Sequence, residues 1–398
     1  MKIKLAVLFG GKSVEHEISI ISAVQAMRHI DRSKYEVIPV YITKSNEMYY
    51  GESLDVIEEY SNIKTLLKKS RRVAFFVEEG RTYLKKSSVK LFEKAVISEI
   101  DMAFPIVHGT NCEDGTLHGY LSMMNLPIVG CNLTASAIGM DKYYMKTVFK
   151  DNGIPVLDCK CFTQYDYAQN ADAIIESIER DIDYPVIVKP VNLGSSVGIS
   201  KAKDREELKE ALENALLFAG KVLVEKAIVN LKEINCSVIG NEDVAIASEC
   251  EERVGSDEIL SYEDKYTSGA KGTGKTGGSK GMASLKRKIP ADITDEQRKV
   301  VRDMAVSAFR CLGCNGVVRI DFMLDQDTNK IYLNEINTIP GSLSFYLWEP
   351  LGVSYTELLD EMIELGIKRK RENDEISYAF DTNVLEGIHF GGAKGSKM

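Results

Sequence analysis

No stretch of the 398-residue chain approaches the roughly 20 apolar residues needed to span a membrane. The nearest approach, Leu5–Phe9, meets Gly10-Gly11 after five apolar residues. That is too short for the apolar region of a secretory signal, and no small-residue cleavage site follows it, so it reads as a first β-strand entering a Gly turn. With 9 Pro, 30 Gly and no sustained heptad, the chain is not collagen, coiled coil or bulk disorder. Positive charge is short as well: 50 Lys and Arg against 59 Asp and Glu leave −9, the wrong sign for a general nucleic-acid binder. Histidine is scarce, and none lies near Cys311-x-x-Cys314 or Cys159-x-Cys161. The eight cysteines therefore read as reduced thiols of a cytosolic protein rather than a zinc set.

What is present is an ordinary globular balance, 44% hydrophobic and 27% charged, with length enough for two to four domains. Ile3–Phe9, Tyr35–Ile42 and Met102–Val107 read as strands, and Pro127–Gly130 as a short one. Between them, Ile18, Ile21, Val24 and Met27 repeat at helical spacing, and Leu117–Met124 is a second helix. Residues 44–95 are charged and weakly patterned. This alternation predicts a parallel α/β sheet with ligands at strand C-terminal ends. A helix from Asp141, strands Leu157–Phe162 and Pro185–Lys189, and a helix from Asp204 to Leu217 predict a small α+β domain. Strands are expected at Glu233–Ile239, Val244–Cys250, Val317–Leu324 and Lys330–Asn334. Thr294-Asp295-Glu296-Gln297 fits a capping box, and a last helix covers Tyr355–Arg369.

Five segments could carry chemistry. Asn192-Leu193-Gly194-Ser195-Ser196-Val197-Gly198 follows Lys189-Pro190 and could present N–H groups, hydroxyls and a charge to phosphate; it also fits an ordinary Gly/Ser hairpin, and it lacks the G-K-[ST] of a Walker loop. Arg319 and Asp321 share a strand face and can meet Glu335 and Asn337. Two carboxylates and an amide suit Mg²⁺ held partly by phosphates, or form a salt-bridged strand pair. Residues 265–291 carry Lys265, Lys271, Lys275, Lys280, Lys286, Arg287 and Lys288 among six Gly and no acid. That composition fits a lid over polyphosphate or a solvated insertion. Finally, Glu15 follows the first strand, where it could take an ammonium or simply favour a helix N-terminus, and His108 opens the segment HGTNCEDG.

Taken in order, GGKSVEHEIS, HGTNCEDGT, MDKYYMK, KPVNLGSSVG, EDKY and RIDFMLD…NEINTIPG resemble the D-alanine–D-alanine ligases of the ATP-grasp superfamily, over about residues 1–365. The resemblance implies an ATP-grasp α/β fold: a Rossmann-like domain (1–135), a central α+β subdomain (136–220), a C-terminal α+β subdomain (221–370) with an ω-loop lid at about 262–290, and a polar tail (371–398). It implies ATP contacts from Lys142, Lys189, Ser195, Ser196, Glu225, Lys226, Glu233, Lys265 and Asn334. Asp321, Glu335 and Asn337 would hold two Mg²⁺ ions, with Mn²⁺ able to substitute. Glu15 would take the first D-alanine's ammonium, tied to the lid through Ser195 and Tyr266, with His108 beside that substrate. Arg319 and the Gly341 N–H would face the tetrahedral oxyanion, and Ser344, Tyr346 and Leu347 the second amino acid. ATP and D-alanine would be its small-molecule partners, in a homodimer of the cytoplasm, with no nucleic acid and no membrane. The chain departs from the family at His118, where Gln is usual, in its longer lid, and at Tyr346, where a serine commonly helps bind the acceptor. D-serine, D-lactate or another amino acid are the alternatives for that acceptor.

Overall fold

The computed structural model describes residues 2–254 and 287–377. Ile3–Gly10 (β1) is buried from Leu5 onward, because a strand covered on both faces must be apolar throughout. It pairs in parallel with Tyr35–Ile42 (β2) on one side and, counting ahead, with Met102–Ile106 (β7) on the other. The stretch left unpatterned by the sequence holds Met48–Tyr50 (β3), Arg71–Glu78 (β4) and Arg81–Lys86 (β5), and Val96–Ile100 (β6) follows directly after it. These extend β2 as an antiparallel meander, so the sheet order is β6-β5-β4-β3-β2-β1-β7. The expected all-parallel sheet is thus parallel over three strands only. Pro127–Gly130 contributes a single parallel bridge, Ala103 to Ile128, instead of a strand. Helix His16–His29 (α1) covers the parallel part, and Ile63–Lys69 (α2), Thr116–Met123 (α3) and Leu133–Met140 (α4) follow.

Lys142–Asp151 (α5) leads into a four-stranded antiparallel sheet, Cys159–Thr163 (β8), Val186–Pro190 (β9), Ser200–Ala202 (β10) and Lys221–Lys226 (β11), ordered β10-β9-β11-β8. With helices Gln164–Gln169 (α6), Ala171–Asp181 (α7) and Arg205–Leu216 (α8) it closes its own apolar core around Ile175, Ile178, Leu208, Leu212 and Val222. A third sheet runs Arg287–Lys288 (β14), Ala245–Arg253 (β13), Leu231–Gly240 (β12), Gly316–Asp325 (β15) and Lys330–Asn337 (β16) in spatial order. Asp295–Cys311 (α9) packs on it, opened by the capping box read from sequence: Thr294 Oγ1 accepts from Gln297 N, and Gln297 accepts from Thr294 N. Tyr355–Asp374 (α10) then returns beneath the first sheet, and Leu358, Leu359, Met362 and Ile363 join the same core as Leu5, Val7 and Phe104. Gly316, at φ +76°, lies against Gly130, where an added Cβ would sit 3.0 Å from the Gly130 Cα. That close approach ties the third sheet to the end of the first.

Candidate active site

The β15–β16 register sets Arg319 opposite Asn337 and Asp321 opposite Glu335, as alternation along the strands requires. Arg319 grips Asp321 bidentately, Nε to Oδ1 at 2.7 Å and Nη2 to Oδ2 at 2.8 Å, and Asn337 Nδ2 donates to Asp321 Oδ2 at 3.3 Å. Burial opposes the guanidinium's charge, but Asp321 outweighs it and keeps Arg319 firmly protonated. Glu335 faces Lys142 at 3.3 Å. Lys142 is the first residue of α5, whose N-cap Asp141 accepts from Tyr143 N and Tyr144 N, and its Nζ also donates to Leu193 O at 2.8 Å. Among the described residues no cluster of three His, Cys, Asp or Glu side chains is spaced to hold a metal alone. Asp321, Glu335 and Asn337 nevertheless fit Mg²⁺, which takes few protein oxygens and completes its shell from phosphates and water.

Behind this pair, Lys189 at the end of β9 donates to Asn334 Oδ1 at 3.0 Å and pairs with Glu225. Glu225 is only 1% exposed and also meets Lys146 at 2.7 Å. Burial alone would raise its pKa; Lys146 and Lys189 reverse that and hold it down at about 2. Lys146 was missed by sequence reasoning, although it stands one helical turn after Lys142, in MDKYYMK, where spacing of four puts both on one face. Lys226, on the opposite face of β11 from Glu225, is exposed and pairs with Asp183 at 3.5 Å. Glu233 is likewise exposed, with Arg253 at 3.5 Å.

The other end of the cleft is amino-terminal. Glu15 caps α1, and the Ser195 hydroxyl, 180 residues away, donates to its carboxylate. Ser195 and Ser196 adopt φ of +55° and +61°, and an added Cβ on Gly194 would come within 3.0 Å of Glu15 Oε2. The loop after β9 is therefore shaped to approach Glu15. His108 is 3% exposed and spans Ile339 O (2.7 Å) and Ser22 Oγ (2.8 Å); burial lowers its pKa to about 4, so the ring is neutral at pH 7. Glu113, which the sequence offered only inside HGTNCEDG, accepts from Gly109 N (2.7 Å) and Ile339 N (3.0 Å). Burial, with the nearby charge of Glu15, raises its pKa to about 8. One cleft is lined by Glu15, Glu113, Lys142, Gly194, Glu335 and Asn337. His118 lies apart, buried with Nδ1 on Cys112 O at 3.2 Å and, among the described residues, no partner for Nε2.

After Gly341 the chain makes a left-handed turn: Ser342, Leu343 and Ser344 have φ of 50°, 52° and 53°. Three such residues in succession each cost about 1 kcal/mol, so the fold enforces the shape. The turn drives Ser344 and Leu347 fully inside, and Ser344 Oγ has no partner among the described residues. Ser344 therefore does not present its hydroxyl at the cleft surface. Tyr346 turns the other way, its hydroxyl 3.2 Å from Glu251 Oε2, and burial raises its pKa to about 12. Lys265 and Tyr266 lie outside the described residues, as does most of the expected lid.

Family models described as "D-ala D-ala ligase N-terminus" and "D-ala D-ala ligase C-terminus" match residues 4–131 and 148–364. A D-alanine–D-alanine ligase of Caldicellulosiruptor bescii is 41% identical over 385 residues, covering 95% of this chain and 99% of that protein. One from Thermosipho melanesiensis is 39% identical over 384 residues, covering 96% and 98%. Among solved structures, the D-alanine–D-alanine ligase of Coxiella burnetii is similar with a TM-score of 0.76 at 29% identity, covering 94% of this chain and 96% of that one. The VanG D-Ala:D-Ser ligase of Enterococcus faecalis is similar with a TM-score of 0.76 at 31% identity, covering 92% and 100%.

Proposed function

The chain belongs to the D-alanine–D-alanine ligase family, and from that membership we propose how its cleft performs the reaction. The protein is an ADP-forming ligase that joins two D-alanines at the expense of ATP, for peptidoglycan synthesis. In our reading a carboxylate oxygen of the first D-alanine attacks the γ-phosphorus, the bond to ADP breaks, and an acyl phosphate forms. The neutral amine of the second D-alanine attacks that carbonyl, the tetrahedral intermediate collapses, and inorganic phosphate leaves with the peptide bond made. Glu15, oriented by Ser195, holds the first ammonium. Lys142 and Lys189 meet phosphate oxygens, and Arg319 with the Gly341 N–H faces the oxyanion. Asp321, Glu335 and Asn337 would hold Mg²⁺, which would supply charge neutralisation to the transferring phosphate; we read two ions there, with Mn²⁺ able to replace them.

The observation that carries this reading is the single cleft that joins Glu15 to Lys142, Glu335 and Asn337, which stand more than 300 residues apart at its extremes. We further read the chain as three domains with boundaries near 135 and 220, working as a homodimer in the cytoplasm; no described helix is long and apolar enough to cross a membrane. D-serine as acceptor is the second reading, favoured by Tyr346 at a position commonly held by serine. The test is ADP release and product mass with D-alanine, alone and paired with other D-amino acids. Glu335→Gln should lower turnover a hundred-fold or more with unchanged far-ultraviolet circular dichroism, since it leaves one carboxylate at the metal site. Near-native turnover would overturn the metal role.

A further inference from the structure

Tyr346 stands where a hydroxyl donor to the second amino acid would be sought, but a phenol has one proton to give. That proton goes to Glu251, whose Oε2 lies 3.2 Å from the Tyr346 hydroxyl and accepts Asn235 Nδ2 at 3.2 Å as well. Glu251 is 3% exposed, so this bond is shielded from water. What lies over the tyrosine ring instead is a cation. The Arg287 Cζ is 4.3 Å from the ring centroid, and its Nε is 3.5 Å from Glu251 Oε1. The backbone of Arg287 is fixed by its pairing with Arg253 across β13 and β14. One fifth of the Arg287 side chain remains accessible, against 5% for Glu251. Tyr346 and Arg287 are both partly exposed while Glu251 is buried, and with the phenol proton committed to Glu251 the arginine is the donor of the trio that a ligand can reach. Its neighbourhood is the reacting one, since Asn235, which donates to Glu251, stands opposite Asp321 in the pairing of β12 with β15.

We propose that Arg287, seated on the Tyr346 ring and oriented by Glu251, binds the carboxylate of the second amino acid, with Tyr346 and Glu251 as positioning residues. This assignment rests on the ligase reading above. A planar guanidinium matches a carboxylate through paired N–H donors, and stacking on a ring fixes the plane in which those donors point. Neither the partner nor the platform is adjacent to Arg287 in sequence: Glu251 is 36 residues earlier and Tyr346 59 residues later.

The test is the saturation of ADP release by D-alanine, fitted to separate first-site and second-site KM values, on the full chain with ATP and Mg²⁺. R287M should raise the second KM ten-fold or more, with the first KM and the ATP KM within two-fold of native. R287K, which keeps charge without the planar stack, should recover only part of that loss. Y346F keeps the ring and should leave the second KM within three-fold, whereas Y346L removes the platform and should behave like R287M. A second KM unchanged in R287M, or a ten-fold rise from Y346F alone, would overturn the assignment. Equal loss at both sites in R287M would overturn it too, by showing a general structural role; thermal midpoints identify any variant that has lost its fold, and Y346F then decides. Failure of the ligase reading itself would appear differently, as no D-alanyl-D-alanine from the unaltered protein.

Discussion

The buried trio Lys146–Glu225–Lys189 makes a quantitative demand on stability. Glu225→Gln removes one negative charge from between two lysines that are 3% and 7% exposed. Two routes give the magnitude. Its pKa of about 2, against 4.5 for an ordinary glutamate, corresponds to about 3 kcal/mol of folding free energy. Breaking a buried pair by deleting one partner generally costs about 3–5 kcal/mol, because the other charge is left uncompensated. Because the folded-state pKa is depressed, the stabilisation is fully present above pH 4.5 and is lost as pH falls toward 2. Urea unfolding at a series of pH values should therefore show a native-minus-variant difference of about 3 kcal/mol, constant from pH 8 to pH 5 and smaller by roughly a quarter at pH 4. A difference below about 0.5 kcal/mol, the usual span of a surface substitution, would refute the reasoning. So would a difference that grew as the pH fell.

Two further outcomes follow from the same geometry. Ser195→Gly keeps a backbone suited to φ +55° while deleting the hydroxyl that Glu15 receives; it should lower kcat/KM for the first D-alanine roughly ten- to hundred-fold, since a hydrogen bond to a charged group contributes about 1.5–3 kcal/mol. An unchanged first-site KM and kcat would show that Ser195 does not orient Glu15. His118 is held neutral by burial with a pKa of about 4, so the native fold loses stability as pH falls below 6.5 toward 4. His118→Leu should remove about 2 kcal/mol of that loss by pH 5, read from unfolding midpoints at pH 7 and pH 5. Equal pH dependence in native and variant proteins would show that His118 is not the group responsible.

Much of this site is legible in one sequence. Tyr35–Ile42 is a strand with the expected ends, because an apolar run between a charged turn and a polar loop leaves little choice. The meeting of Asp321 with Glu335 follows from the two-residue period of paired strands alone. The meander of β3 to β6 was not legible, since its strands are antiparallel and half exposed, and their alternation is blurred by charge on both faces. Ser344 was offered at the acceptor only through a register shift, as the alternative to Tyr346; three left-handed residues in a row place its side chain inside, and no side-chain pattern signals such a turn outside glycine. Glu251 carried no sequence signal, and Arg287 stood out only as one of the basic residues of the expected lid. Their relation exists only because β13 and β14 pair across the expected lid.

The division of the apolar cores has one more consequence. The core beneath the first sheet includes residues of α10 and of the turn after Gly341, whereas the sheet β10-β9-β11-β8 closes around side chains entirely its own. Lys189 ends β9 of that self-contained leaf, and the loop from β9 to β10 carries Ser195 across to Glu15 at the head of α1, in the shared block. Substitutions such as Ile178→Ala or Leu212→Ala should thus loosen Lys189 and the Ser195–Glu15 bond together while leaving the core beneath the first sheet intact. The leaf is thus one lever on both ends of the cleft, worked from a core whose described side chains are all its own.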